Sequence, residues 1–389
     1  GLQFRDVQTY EAQLRDELTY RSATTKVILG FDGTARTDDI AYGGLLAPTN
    51  VRELAPADLD AVVGADRVRR DVWRTTAALY LEGNLTPLDD VLLTPGIRAE
   101  TYLLDGEAHF SLEPRFAGSW QVTHGDYATL LKVAAGSFSR PPDEDELAEA
   151  VAQGFTLPPQ QALDIQGGFD QEVGLARFST TLFSVWRSEL TTKAPNFPVP
   201  PRFGERAVYA GASGQSYGLE MILRSGAPGK FFAWITYSLI RNERTDAPSP
   251  YGVPYAYVSP FDTTHLLGIV GQTYLPWGFR VGARYRIATG MPIDDVAGGT
   301  FDADLGRFEP AFAPKGTTRF PPFSALDVRV DWETTLSWFV LDCYGDFVNV
   351  NTALFGRPVE GLFYNFDFSS SQPHFGLPLI PAIGAKASF

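Results

Sequence analysis

A single cysteine, Cys343, stands among 389 residues. One thiol cannot form an internal disulfide framework or a zinc site built from several thiolates. Histidine is almost as scarce. His109, His124, His265 and His374 fall in separate strands, turns and loops without metal-ligand spacing. Each reads as an interface or lumen residue rather than a ligand, so no metal or other cofactor is expected. No His-Glu-x-x-His, Gly-x-Ser-x-Gly or phosphate-binding glycine loop occurs, which leaves no catalytic constellation and argues against an enzyme. No run of about 18 apolar residues exists, so no helix is available to cross a membrane. Bases are outnumbered: 32 Lys and Arg against 46 Asp and Glu give a net charge of -14, the wrong sign for a nucleic-acid partner.

Turn formers and aromatics are plentiful. The 37 Gly and 28 Pro argue against long helices. The 28 Phe, 16 Tyr and 7 Trp favour strands. Mean hydropathy is near neutral at -0.09, as it is for strands that alternate between two media.

That alternation is visible along the chain. From Gly278 to Ile287, Phe279, Val281, Ala283, Tyr285 and Ile287 share one face, while Arg280, Gly282, Arg284 and Arg286 share the other. Leu326, Val328, Val330 and Trp332 oppose Asp327, Arg329, Asp331 and Glu333. Ile97, Ala99 and Leu103 oppose Arg98, Glu100 and Tyr102, and Leu219, Met221 and Leu223 oppose Glu220 and Arg224. Such strands have one apolar and one strongly polar face. A transmembrane β-barrel, with lipid outside and a polar lumen inside, satisfies both. The candidate lumen-facing residues are Arg98, Glu100, Glu220, Arg280, Arg284, Arg286, Asp327, Arg329 and Asp331. A soluble β-sandwich with one wet face per sheet is the alternative on pattern alone.

Connection lengths bear on that choice. Links near 84–89, 124–126, 172–174, 225–229 and 275–277 are short. Those near 32–70, 138–158, 188–213, 241–262, 290–323 and 350–376 are long. The link after strand 91–104 is a short exception on the long side. Outer-membrane barrels have short periplasmic turns and long extracellular loops, whereas a sandwich gives no reason for alternation. Loop 138–158 is expected to hold a short helix over 143–153, with acids in its first turn and Gly154 ending it. Trp73, Trp120, Tyr127, Trp277, Trp332 and Trp338 fall near strand ends and read as an interfacial girdle. The acidic pairs Asp38-Asp39 and Asp294-Asp295 read as solvated, with loop Ca²⁺ binding the sharper alternative. The closing strand, in which Leu379, Pro381, Ile383, Ala385, Ala387 and Phe389 alternate with polar or small residues, ends on an aromatic. It resembles the signal read by the outer-membrane barrel assembly machinery, with Phe389 as its last residue.

Ordered motifs add a family resemblance. They begin with Leu93-Thr94-Pro95-Gly96-Ile97-Arg98, Glu113-Pro114-Arg115-Phe116 and Gly136-Ser137-Phe138-Ser139-Arg140-Pro141-Pro142. Tyr217-Gly218-Leu219-Glu220, Trp234-Ile235-Thr236-Tyr237-Ser238 and Ala288-Thr289-Gly290-Met291-Pro292 follow. Arg319-Phe320-Pro321-Pro322-Phe323, Leu326-Asp327-Val328-Arg329, Asp346-Phe347-Val348-Asn349-Val350-Asn351 and Gly376-Leu377-Pro378 complete the series. In this order the chain resembles the barrel domain of TonB-dependent receptors, of a type common in myxobacteria. The resemblance covers nearly the whole chain and is weakest before about Val72.

It implies an all-β, antiparallel barrel over 1–389, placed in the bacterial outer membrane in contact with its lipid. It also implies a plug domain and a TonB-contacting segment, neither of which is found in this sequence. Fifteen strands are marked here, against about 22 in the family's barrel. An odd count places the lead-in to the first strand outside the cell. The expectation is a C-terminal part of a split receptor, whose second chain carries the plug, the remaining strands and the route to TonB. The alternative is a self-closed barrel of 14 or 16 strands, with a strand missed near 360–368 or in 33–70. Functionally the resemblance implies uptake of a solute. A structural or scaffolding subunit of a larger envelope complex and a passive porin-like channel are the alternatives.

Overall fold

A computed structural model describes residues 3–44, 68–193, 206, 208–248, 254–303 and 307–389. The strands of the N-terminal half are β1 (Gln3–Arg21), β2 (Thr25–Gly44), β3 (Val68–Leu88), β4 (Val91–Leu104), β5 (Glu107–Thr123), β6 (Thr129–Arg140), β7 (Gln160–Val173) and β8 (Ala176–Lys193). Next come β9 (Val208–Ala227), β10 (Phe231–Thr245), β11 (Ala256–Val258), β12 (His265–Tyr274), β13 (Phe279–Ala288), β14 (Pro292–Ile293), β15 (Val296–Asp302) and β16 (Arg307–Phe312). The chain closes with β17 (Thr318–Arg319), β18 (Phe323–Leu336), β19 (Phe339–Val348), β20 (Val359–Tyr364), β21 (Ser371–Phe375) and β22 (Ile380–Ser388). Helix α1 (Glu144–Ala152) lies between β6 and β7.

The strands form an antiparallel meander. One path runs β1 to β10 and then β12, β13, β18, β19 and β22, with β11 attached to β10. These fifteen wall strands coincide with those marked by the alternation. The segment near 360–368 forms β20, which pairs with β21 in a hairpin off the wall. Of 33–70, the other place for a missed strand, 33–44 and 68–70 belong to β2 and β3, and 45–67 lie outside the described residues. Several strands run further than the alternation marks. β1 begins at Gln3, and β2 continues to Gly44 through what reads as loop.

Exposure decides between barrel and sandwich. Leu79, Leu81, Ile97, Leu112, Leu163, Ile165, Leu182 and Ile383 are exposed, Leu182 at 63% and Ile383 at 83%. On the opposite row Arg74, Glu100, Glu113, Asp170, Asp327 and Asp331 are buried. A sheet folded for water puts its apolar row inside, so this inversion requires an apolar solvent around the wall. The girdle is double. Tyr10, Trp73 and Phe110 stand exposed toward the long-loop end, and Tyr20, Trp120, Tyr127, Trp277 and Trp338 toward the short-turn end. Tyr10 and Tyr20 are ten positions apart on β1. At about 3.3 Å per residue and about 45° tilt, that is about 23 Å of depth, matching an apolar band of about 25 Å.

Two glycines leave room for inward-facing tyrosine rings. Gly30 lies beneath Tyr80, its partner across β2 and β3, and Gly384 lies beneath Tyr344 across β19 and β22. A side chain at either glycine would collide with the ring. Helix α1 bears out the expectation for loop 138–158. Asp143 precedes it, Glu144, Asp145 and Glu146 occupy its first turn, and Gly154 takes φ 80° just beyond it.

Candidate functional site

The polar face of the wall is laced with ion pairs. On β13 and β18, Arg284 lies 2.7 Å from Asp327, with Arg286 3.8 Å from the same carboxylate. Arg280 and Arg329 both hold Asp331, at 3.1 and 2.8 Å. Arg329 also reaches Asp346 on β19 at 3.7 Å and lies over the Tyr344 ring. Six of the nine residues picked from sequence therefore form two clusters. Arg98 and Glu100 meet at 2.7 Å on β4, with Asp32 of β2 3.7 Å from Arg98. Glu220 stands apart from both, opposite Thr181 and Ser238.

Sequence reading missed three further groups on this face. Tyr80 donates to Glu17 at 2.5 Å, and Arg15 pairs with the same glutamate at 2.7 Å. Asp170 joins Lys132 at 2.6 Å and Arg177 at 2.9 Å, and accepts from Ser179. Asp38 accepts from Thr9, Arg36 and Arg74. Each group crosses neighbouring strands. Alternation gives the row of each residue, but only the register gives its partner.

No metal centre emerges. Among the described residues, no group of three or more His, Cys, Asp or Glu side chains could hold an ion. His124 pairs with Asp90 at 2.8 Å, and His265 with the Tyr237 hydroxyl at 2.9 Å. Asp295 accepts from Thr318 and Tyr364.

The long-loop end is tied down by two carboxylates. Asp246 accepts from Arg244, Lys315 and Tyr257 at 3.0, 2.7 and 2.9 Å. Asp262, fully buried, accepts from Arg319 at 2.6 Å, Thr264 at 2.6 Å and the Asn242 amide at 2.7 Å. The 246–262 connection is thereby clamped to 315–319. Above these clamps, hairpins β15–β16 and β20–β21 meet at Phe308 and Phe366, whose ring centroids are 5.9 Å apart.

The family model described as "TonB dependent receptor-like, beta-barrel" matches residues 3–350. The chain belongs to the TonB-dependent receptor β-barrel family. No curated protein matches it. Solved structures share its fold. The ferric citrate transporter FecA in its unliganded form is 14% identical, with a TM-score of 0.63 over 99% of this chain and 55% of that one. The siderophore receptor PiuA from Acinetobacter baumannii is 11% identical, with a TM-score of 0.64 over 98% and 56%. The ferripyoverdine receptor of Pseudomonas aeruginosa, bound to ferripyoverdine, is 12% identical, with a TM-score of 0.62 over 98% and 48%. The chain spans about half the length of these structures. Membership in the TonB-dependent receptor family places the protein in the outer membrane, and the family and these neighbours are transport receptors. In barrels of this kind the short turns face the periplasm and the long loops the exterior.

Both clamp carboxylates therefore lie outside the lipid. Burial pushes Asp246 upward, but bonds from Lys315, Arg244 and Tyr257 outweigh it and hold the carboxyl below its usual value. Asp262 follows the same balance: burial raises it, while Thr264, the Asn242 amide and Arg319 lower it further. A depressed carboxylate adds stability that is complete above the unfolded pKa of about 3.9 and lost as pH falls through the lower folded value. After correction for intrinsic rates, amide exchange at Asn242 and Ser259 is expected to be the same at pH 7 and 5 and to accelerate only as pH falls below about 3.9. Acceleration already at pH 5 would count against these clamps.

Proposed function

We propose that this chain forms the greater part of the wall of an energised receptor that takes up a solute across the outer membrane. A second polypeptide supplies the plug, the route to TonB and about seven further strands. The observation carrying this reading is the pair of open edges. Among the described residues, β1 pairs only with β2, and β22 only with β19. Unpaired backbone groups facing lipid cost several kcal/mol each, so a wall of this kind has to be completed.

The inner face supports the plug. Its charges are mixed in sign, and the arginines stay half-exposed over buried carboxylates, with Arg284 53% and Arg329 44% accessible. Such a face suits a folded polypeptide bearing both charges better than a stream of one ion type. Long extracellular loops would capture the solute. The ferric chelates named for the neighbours are the first solutes to test.

Intact-mass and peptide mass spectrometry of the assembly purified from outer membranes tests the two-chain reading. A co-purifying chain with a plug and additional strands is expected. One longer polypeptide would remove the second chain while keeping the receptor. A closed, heat-modifiable barrel of this chain alone, conducting ions in bilayers, would replace uptake with a porin. Stoichiometric envelope partners without a plug or TonB-contacting segment would favour the scaffold.

A further inference from the structure

The connection from β6 to β7 folds inward. Leu147, Ala148 and Ala150 of α1 are fully buried or nearly so. Leu147 and Ala148 pack in one cluster with Ile40 of β2, Val72 of β3, and Tyr102 and Leu104 of β4. Ile40 and Val72 lie two positions from Asp38 and Arg74, and Tyr102 two from Glu100. All four wall residues thus share the polar face, opposite Leu29, Trp73 and Leu103. Helix α1 lies against the inside of the mouth.

The far side of the same loop reaches other strands. Ala150 and Leu157 pack with Val208 at the head of β9. Lys193 at the end of β8 pairs with Glu146 at 3.5 Å. β4 and β8 are separated in the wall by β5, β6 and β7. The nine-residue helix, about 13 Å long, therefore ties two separate arcs of the mouth together.

Polar contacts fasten one end. Arg74 donates to Asp38 at 2.5 Å and to the Pro142 carbonyl at 3.4 Å, and lies 3.9 Å from Glu144. Asp38 is fully buried, and Arg74 is 8% exposed. The Tyr102 hydroxyl donates to the Ser139 carbonyl at 3.1 Å. Lifting the helix would expose two apolar clusters and break the contacts of Arg74 with the Pro142 carbonyl and Glu144 and of Lys193 with Glu146. Moving lids come instead from segments with few buried contacts. The other side of the mouth differs: Phe261, Phe301, Phe355 and Phe366 there are all exposed.

We propose that α1 is a fixed strut that roofs the inner face of β5 to β7 at the extracellular mouth and does not open during the working cycle.

The test uses cells producing the full receptor in a Cys343→Ser background, probed from outside with a membrane-impermeant maleimide. Ala152→Cys, at an exposed position of the helix, is the reference. Ala148→Cys and Ala150→Cys are expected to label at least about tenfold more slowly, equally with and without an uncoupler. Adding Arg74→Ala is expected to speed labelling of Ala148→Cys at least about tenfold, because it leaves Asp38 buried with one guanidinium fewer. Heat-modifiability on gels verifies that each variant is a folded barrel. Labelling of Ala148→Cys as fast as the reference, faster labelling only in energised cells, or no effect of Arg74→Ala overturns the strut. Labelling requires no solute, so failure of the uptake reading leaves this result interpretable.

Discussion

Deletion of Phe389 is expected to leave most of the protein outside the inserted, heat-modifiable form. The residue closes β22 at the periplasmic end and is 86% exposed. Its ring stacks on Trp338 at 5.1 Å and lies 5.9 Å from Phe339. This cluster sits at the lower girdle, where amphipathic rings prefer the headgroup level. Its contribution to the finished fold is modest, since aromatic pairs add about 0.5–1.5 kcal/mol each beyond their burial. A far larger loss of assembled protein would therefore report on recognition during insertion. Semi-native gels of outer-membrane fractions measure the inserted share. Phe389→Tyr is expected to keep it, because an aromatic ring remains against Trp338 and Phe339. Normal insertion of the deletion would show that the closing aromatic is not the signal.

Gly168→Val is expected to disrupt the wall at the centre of β7. Gly168 faces Lys132 on β6 and Thr181 on β8. A Cβ there would run into the Thr180 carbonyl and the Thr181 Cα, both backbone atoms that cannot swing aside. Overpacking costs about 1–3 kcal/mol even where side chains adjust, and here the strand itself must move. The expected result is a heat-modifiable form that unfolds several degrees lower, or a barrel that does not assemble. The neighbouring glycine is the control. A Cβ at Gly167 would meet only the Lys132 carbonyl at 3.7 Å, an ordinary contact. Gly167→Val is therefore expected to assemble normally. Equal behaviour of the two variants would show that glycine content, rather than the approach of β8, matters here.

The wall was legible because lipid imposes a period of two that survives without an alignment. Phe279 to Ile287 and Leu326 to Trp332 announce both face and direction. Legibility fades where the outward row is small or polar. Along β2 from Asp32 to Asp39, one row holds Thr34, Arg36 and Asp38, and the other Ala35, Thr37 and Asp39. Neither row is apolar there, so hydropathy loses its contrast while the strand continues. Hairpin β15–β16 falls in a stretch that reads as loop, and β20–β21 in one that offers at most a further wall strand near 360–368, for a related reason: they are short and belong to no buried sheet. The ion pairs needed register. Arg280 and Asp331 are 51 positions apart, and the long connection between β13 and β18 hides their alignment. The roofing role of α1 was hidden too. Its acids and terminal glycine announce a helix, but Ile40, Val72 and Tyr102 read as ordinary wall positions until something packs on them.

The spacing between Tyr10 and Tyr20 has a consequence for where the protein can reside. A band about 23 Å deep is shorter than the about 30 Å hydrocarbon core of an average bilayer. Mismatch costs a fraction of a kcal/mol per ångström, and the bacterial outer membrane is thinner than average. Summed around a broad perimeter, that small penalty becomes a sorting force, favouring the thin bilayer without any address tag. Reconstitution should follow the same rule, with short-chain lipids accepting the wall and long-chain lipids thinning around it or driving it to cluster.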